Sequence, residues 1–91
     1  TSLRLSVPAA SRFIKPGGVI LALIKPQYEI DKRELKRGVV PEDKLMGIKE
    51  KVRQDLIELG FGVSDAFESP ITGESGNREF WVKITKDEKG V

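Results

Sequence analysis

Six consecutive apolar residues, Val19-Ile20-Leu21-Ala22-Leu23-Ile24, leave no polar side chain on either parity of a strand. A strand with one wet face alternates apolar and polar residues, so an unbroken run of this length predicts a strand covered on both faces, at the centre of an α/β sheet. The run is far shorter than the roughly 20 apolar residues a membrane helix needs. No charged-then-apolar leader opens the chain, and the expected location is cytoplasmic. A chain of 91 residues holds one small domain, which buries only about 60 to 65% of the surface its unfolded form exposes.

Glycine and proline punctuate the rest. Leu3, Val7, Ala10, Phe13 and Ile14 recur at helical spacing and predict a helix over residues 3 to 14, stopped by Lys15-Pro16-Gly17-Gly18. Pro8 inside it favours a later start with Ser6 as the N-cap, which would put the proline in the first turn. Residues 27 to 42 are charged without an apolar period and read as a loop. From Asp43 to Leu59 the stripe Leu45, Ile48, Val52, Leu56 and Leu59 predicts a helix, with Gly60 as its stop. A short strand is expected over residues 61 to 67, turn chemistry over 69 to 77, and a strand over 79 to 85, where Phe80, Val82 and Ile84 alternate with Trp81, Lys83 and Thr85. The order is α-β-α-β-β with an antiparallel return. The domain is taken as 1–86 with a flexible tail over 87–91, fraying from Lys86 onward.

Sixteen Lys and Arg against fourteen Asp and Glu leave a net charge of +2, which names no partner. With no Cys and no His, disulfides, thiol nucleophiles, Cys/His zinc sites and His-based triads are excluded. Catalysis would have to use Lys, Asp, Glu, Tyr, Ser or Thr. Lys25 stands at the C-terminal end of the apolar strand, where open α/β sheets place their ligands, and Lys25-Pro26-Gln27-Tyr28-Glu29 gathers an amine, an amide, a phenol and a carboxylate in one exit loop. The bland account is a solvated loop that Pro26 begins. In Ser69 to Glu79, two glycines and Asn77 permit a bent backbone that delivers Glu79 to the start of a strand; an ordinary hairpin connection reads the same way. Gly73-x-x-Gly76 lacks the helix and the Lys-Ser/Thr of a P-loop.

In chain order, Lys15-Pro16-Gly17-Gly18, the apolar strand, Lys25-Pro26-Gln27-Tyr28-Glu29, Gly38-Val39-Val40, Gly60-Phe61 and Ser69-Pro70-Ile71-x-Gly73-x-x-Gly76-Asn77-x-Glu79-Phe80 resemble the C-terminal part of the TlyA family. These are FtsJ-like S-adenosylmethionine-dependent ribosomal RNA methyltransferases, often labelled hemolysins. The resemblance covers residues 2 to about 85. It implies the C-terminal portion of a Rossmann-like methyltransferase sheet, incomplete without its upstream half, with the last strand inserted between the other two so that Glu79 approaches Lys25. It also implies a ribose 2′-O-methyltransferase with a Lys-Asp-Lys-Glu tetrad, whose second lysine matches Lys25 and whose glutamate matches Glu79. The family's Asp-x-Ser-Phe-x-Ser-Leu segment ends at Ser2-Leu3, so the aspartate falls just upstream, as do the first lysine, the glycine-rich cofactor loop and an S4 RNA-binding domain. Gln27, Ser69 and Asn77 are candidate substrate-binding residues. The usual Gly-Gly-Val-Val-Arg-Asp stretch reads Arg37-Gly38-Val39-Val40-Pro41-Glu42, a departure in the middle loop.

The implied partners are ribosomal RNA or ribosomal subunits, the implied base is cytidine, and S-adenosylmethionine would be held mainly by residues outside this segment. A ribose hydroxyl is a poor nucleophile, and methyl transfer needs in-line approach and removal of its proton; Lys25 is the expected base and Glu79 its orienter. The segment alone is expected to be inactive. Without a neighbouring strand, residues 19 to 24 would form an open apolar edge through which it self-associates. The alternative is a small non-catalytic α/β RNA-binding or interaction module using Lys32, Arg33, Lys36 and Arg37, residues that also read as a solvated charge run. Pore formation, which the hemolysin label implies, has no spanning or amphipathic segment behind it.

Overall fold

A computed structural model describes residues 2–86. Helix α1 (Leu3–Ser11) starts where Ser2 accepts the Arg4 N–H on its hydroxyl oxygen, not at Ser6. Pro8 therefore lies in the helix interior, where the carbonyl of exposed Arg4 loses its partner. The helix ends at Ser11, short of the expected residue 14, so Phe13 leaves the helical phase and is 90% exposed, while Val7 carries the buried stripe. Lys86 closes this end by donating from Nζ to the carbonyls of Ser11 and Ile14, each at 2.7 Å. It is thus tied down, not frayed; the tail expected over 87–91 lies outside the described residues.

Strand β1 (Val19–Ile24) leads directly into a one-turn helix, α2 (Pro26–Glu29), where the fixed φ of Pro26 at the first helical position suits a helix start. The segment read as loop is therefore structured at both ends. A 3-10 turn follows at Lys32–Glu34, and then a two-residue hairpin in which Lys36 and Val39 exchange both backbone hydrogen bonds, at 2.8 and 3.0 Å. Helix α3 (Glu42–Glu58) buries Leu45, Val52 and Leu56. It ends as expected at Gly60, with φ 99: the Gly60 N–H reaches the Ile57 carbonyl and the Phe61 N–H the Leu56 carbonyl, while Phe61 and Leu56 are both buried, the pattern of a Schellman stop.

The expected strand at 61 to 67 forms two short pieces, β2 (Gly62–Val63) and β3 (Phe67–Glu68). Val63 faces Ile84 and Phe67 faces Trp81, so the path gains one residue between them and bulges. Ser64 lies there, its N–H donating to the Lys83 carbonyl and its hydroxyl oxygen accepting the Lys83 N–H, both at 2.9 Å. The last strand, β4 (Phe80–Thr85), is antiparallel to all its neighbours and lies between β1 and the β2/β3 pieces.

The protein is therefore a small α/β fold around an antiparallel sheet. One sheet face carries Ala22, Ile24, Phe80, Val82 and Ile84 into a core shared with α3 and with Val7, Val40 and Phe61. The opposite face departs from expectation: among the described residues nothing covers it, and Val19, Leu21 and Phe67 are at least half exposed. β1 is an edge strand here and not a central one.

Candidate active site

Beyond the last ladder pair, Ile24 with Phe80, the register sets the backbone of Lys25 opposite that of Glu79. Lys25 occupies the N-cap position of α2 in extended conformation, and its carbonyl accepts the Tyr28 N–H at 2.9 Å. Its Nζ lies 5.8 Å from the centroid of the Tyr28 ring, a cation–π contact. Lys25 makes no ion pair with Glu79 or another carboxylate among the described residues.

Glu79 is buried, and its Oε2 accepts from Gln27 Nε2 at 2.7 Å. The carboxylate rests on Gly73, where a side chain would push it aside: a β-carbon there would stand 1.9 Å from Oε2. Oε1 makes no hydrogen bond among the described residues, so one oxygen is held and the other is available. The arrangement also leaves Gln27 Oε1 buried with no partner. Buried acceptors are nearly always satisfied, because an unpaired one costs about 1 to 3 kcal/mol.

Two devices hold the turn that covers Glu79. Asn77 is 1% exposed; its Oδ1 accepts the Val40 N–H at 2.9 Å and its Nδ2 donates to the carbonyls of Gly38 and Glu74, each at 2.8 Å. It thereby clamps the 36–39 hairpin onto the 73–77 turn. The Tyr28 hydroxyl donates to Glu74 Oε1, joining α2 to the same turn. This bond to a carboxylate raises the phenol's pKa, burial adds to the rise, and the charges of Glu74 and Glu79 act in the same direction. Ser69 lies beside the site through its backbone N–H, which donates to the Glu79 carbonyl at 2.8 Å.

No family model matches the chain. It is 35% identical, over 91% of its length, to "Putative rRNA methyltransferase YqxC" of Bacillus subtilis, of which it covers 30%. The crystal structure of a "putative hemolysin from Lactococcus lactis" matches with a TM-score of 0.85 and 36% identity, over 96% of this chain and 42% of that one. A "Putative hemolysin from Streptococcus thermophilus" matches at 0.77 and 35%, over 96% and 32%. The chain is thus similar, over most of its length, to part of these TlyA-like proteins, in line with its motif blocks. It spans less than half the length of each of these TlyA-like relatives.

Of the candidates named from sequence, the fold brings Gln27 and Glu79 into contact and sets Lys25 at the same end of the β1/β4 ladder. Asn77 sits one layer back, with its amide committed to backbone. The Tyr28–Glu74 bond and the steric role of Gly73 escape sequence reasoning: the residues lie in the motif blocks, but no spacing rule pairs positions 46 apart. Glu29, noted only as an exit-loop carboxylate, accepts from the Ser2 hydroxyl and the Leu3 N–H and so anchors the start of α1 to α2.

Replacing Asn77 by Ala removes three hydrogen bonds and strands the Val40 N–H. We expect Asn77→Ala to lower stability by about 2 to 3 kcal/mol in urea unfolding; a loss of a few tenths would show that the clamp contributes little. Tyr28 is the sole tyrosine, so tyrosinate absorbance reads it directly. Its midpoint should lie above 10 and fall back toward 10 in Glu74→Gln. Because the folded value is raised, the stabilisation from this bond is fully present below pH 10 and is lost as pH rises through the folded midpoint.

Proposed function

We propose that this chain is the C-terminal part of an S-adenosylmethionine-dependent ribosomal RNA methyltransferase acting on a ribose 2′-hydroxyl, with cytidine as the target nucleoside. The observation that carries the reading is the buried Glu79 carboxylate, held by Gln27 at 2.7 Å with its second oxygen available, at the position the register sets opposite Lys25. The 35% identity to a protein bearing an rRNA methyltransferase name supports the substrate class.

In this reading the Lys25 amine takes the proton from the attacking 2′-hydroxyl, and Glu79 Oε1 orients the amine through charge-assisted hydrogen bonding. Gln27 is a positioning residue for Glu79, and its unpaired Oε1 accepts from a donor brought by the substrate or by the rest of the enzyme. Ser69 completes the wall beside Glu79. The residues present do not fit the methyl donor. Among the described residues no glycine-rich turn joins a strand to a helix N-terminus; Gly17 and Gly18 precede a strand, and the Gly73–Gly76 turn runs into β4. The donor's contacts would come from the remainder of the polypeptide, and the segment by itself is inactive.

The sheet is likewise proposed to be one part of a larger Rossmann-like sheet, continued beyond β1 by the upstream half. Bare edges of apolar strands pair with other chains, and the 91-residue chain alone should sediment as a dimer or larger at high concentration, joined through residues 19 to 24. Leu21→Lys, which charges the edge, should shift it to monomer; a wild-type chain that stays monomeric at high concentration refutes the open edge.

In the full-length protein, Lys25→Met and Glu79→Gln should each lower kcat for rRNA methylation by about 100-fold or more, with KM for RNA little changed. An unaltered rate in Lys25→Met removes the amine from the chemistry.

A further inference from the structure

The hairpin at 36–39 carries a residue that its geometry does not favour. Both central residues have positive φ, 55 at Arg37 and 79 at Gly38, as in a type I′ turn, whose first central position prefers Asn, Asp or Gly. Arg37 fills it, and its side chain is exposed and makes no hydrogen bond or ion pair among the described residues, so the turn closes without using it.

Ion pairing divides the surrounding charges unevenly. Asp31 is taken by Arg33, Glu34 by Lys44 and Glu42 by Arg78. Among the described residues, Glu29 and Asp43 have no cationic partner, Glu29 being held by the Ser2 hydroxyl and the Leu3 N–H, and Lys32, Lys36 and Arg37 have no acidic one. Two of the loop's three cations without an acidic partner, Lys36 and Arg37, therefore sit in the hairpin. Asn77 fixes the hairpin against the turn that covers Glu79: it holds Gly38 and Val40 directly, and a β-carbon on Gly38 would lie 3.1 Å from Ser75 Oγ. Ser75 also has positive φ, 58, so two non-glycine residues in the left-handed region sit at the tips of two packed turns beside the candidate site.

We infer that Arg37, flanked by Lys36, contacts an RNA phosphodiester adjacent to the ribose presented to Lys25 and Glu79. The inference takes RNA as its polyanion from the preceding reading. Strain held at an exposed arginine beside a site, in a turn that glycine would close more easily, is what a ligand-contacting residue leaves behind, and a guanidinium matches phosphate in charge and in fork geometry.

The test uses the full-length protein and bulk ribosomal RNA, with binding measured across a KCl series. Arg37→Gly should weaken binding several-fold at physiological salt and reduce the slope of log K against log [KCl] by about one, while raising the melting temperature, because glycine relieves the backbone. Arg33→Ala removes the same charge from an arginine already paired with Asp31 and should leave the slope nearly unchanged. Equal slope loss in the two variants, an unchanged slope in Arg37→Gly, or no rRNA binding by the wild type would overturn the inference. If the wild type binds rRNA with an Arg37-dependent slope but methylates no ribose, the preceding reading fails and this contact stands.

Discussion

β4 forms antiparallel pairs along both of its edges, with all six residues of β1 on one side and with β2 and β3 on the other. Chain-distant segments meet because this strand lies between them. Its even positions, Phe80, Val82 and Ile84, are 3% exposed or less and form the middle of the core; a slip of one residue would turn all three out to the bare face. Register and burial therefore enforce each other. The same register carries Glu79 to Lys25 across 54 positions of sequence, so the geometry of the site follows from the packing of the sheet.

The polar groups around Glu79 form a hierarchy. A carboxylate out of water needs hydrogen bonds or an opposite charge. Gln27 supplies one bond, and Gly73 supplies the space, since any side chain there would displace the carboxylate. Asn77 and the Tyr28–Glu74 bond act one step further out by fixing the turn that contains Gly73. Arg78 adds an outer brace, bridging Glu42 at the start of α3 and Glu68 in β3. In a chain with so small a core, these polar ties do much of what apolar packing does in larger domains, by fixing loops to one another.

What was legible in the sequence was whatever repeats at a period. The stripe of α3, the Gly60 stop and the alternation of β4 are local patterns, and they appear in the fold within a residue or two. Helix α1 starts at Leu3, where its spacing places it, but ends before residue 14, and Pro8 leaves its start open in sequence, because tertiary partners set its limits: Glu29 anchors its start and Lys86 captures the carbonyls at its finish. The structure within residues 26 to 39 was missed because it depends on single residues, Pro26 at a helix start and Arg37-Gly38 at a turn, and not on periodicity. Gln27 and Glu79 were visible as chemistry-bearing residues, but their mutual contact is a consequence of strand order.

The unbroken apolar run in β1 called for cover on two faces, and the fold supplies one. Val19, Leu21 and Leu23 share the bare side with Trp81 and Phe67, and continuing that parity past the ladder leads to Lys25 and Glu79. Two deficits thus belong to the same strand pair: an apolar surface without cover, and at its end a site with one buried acceptor unpaired and one carboxylate oxygen unbonded. An apolar face can be covered by almost any hydrophobic partner, whereas a buried amide oxygen requires a donor at a particular place. A single neighbour that meets both must pack on the Leu21 side of the sheet and reach the end of β1 with a hydrogen-bond donor. That is a far narrower requirement than either deficit imposes alone, and hydrophobic association through the apolar face does not by itself meet it.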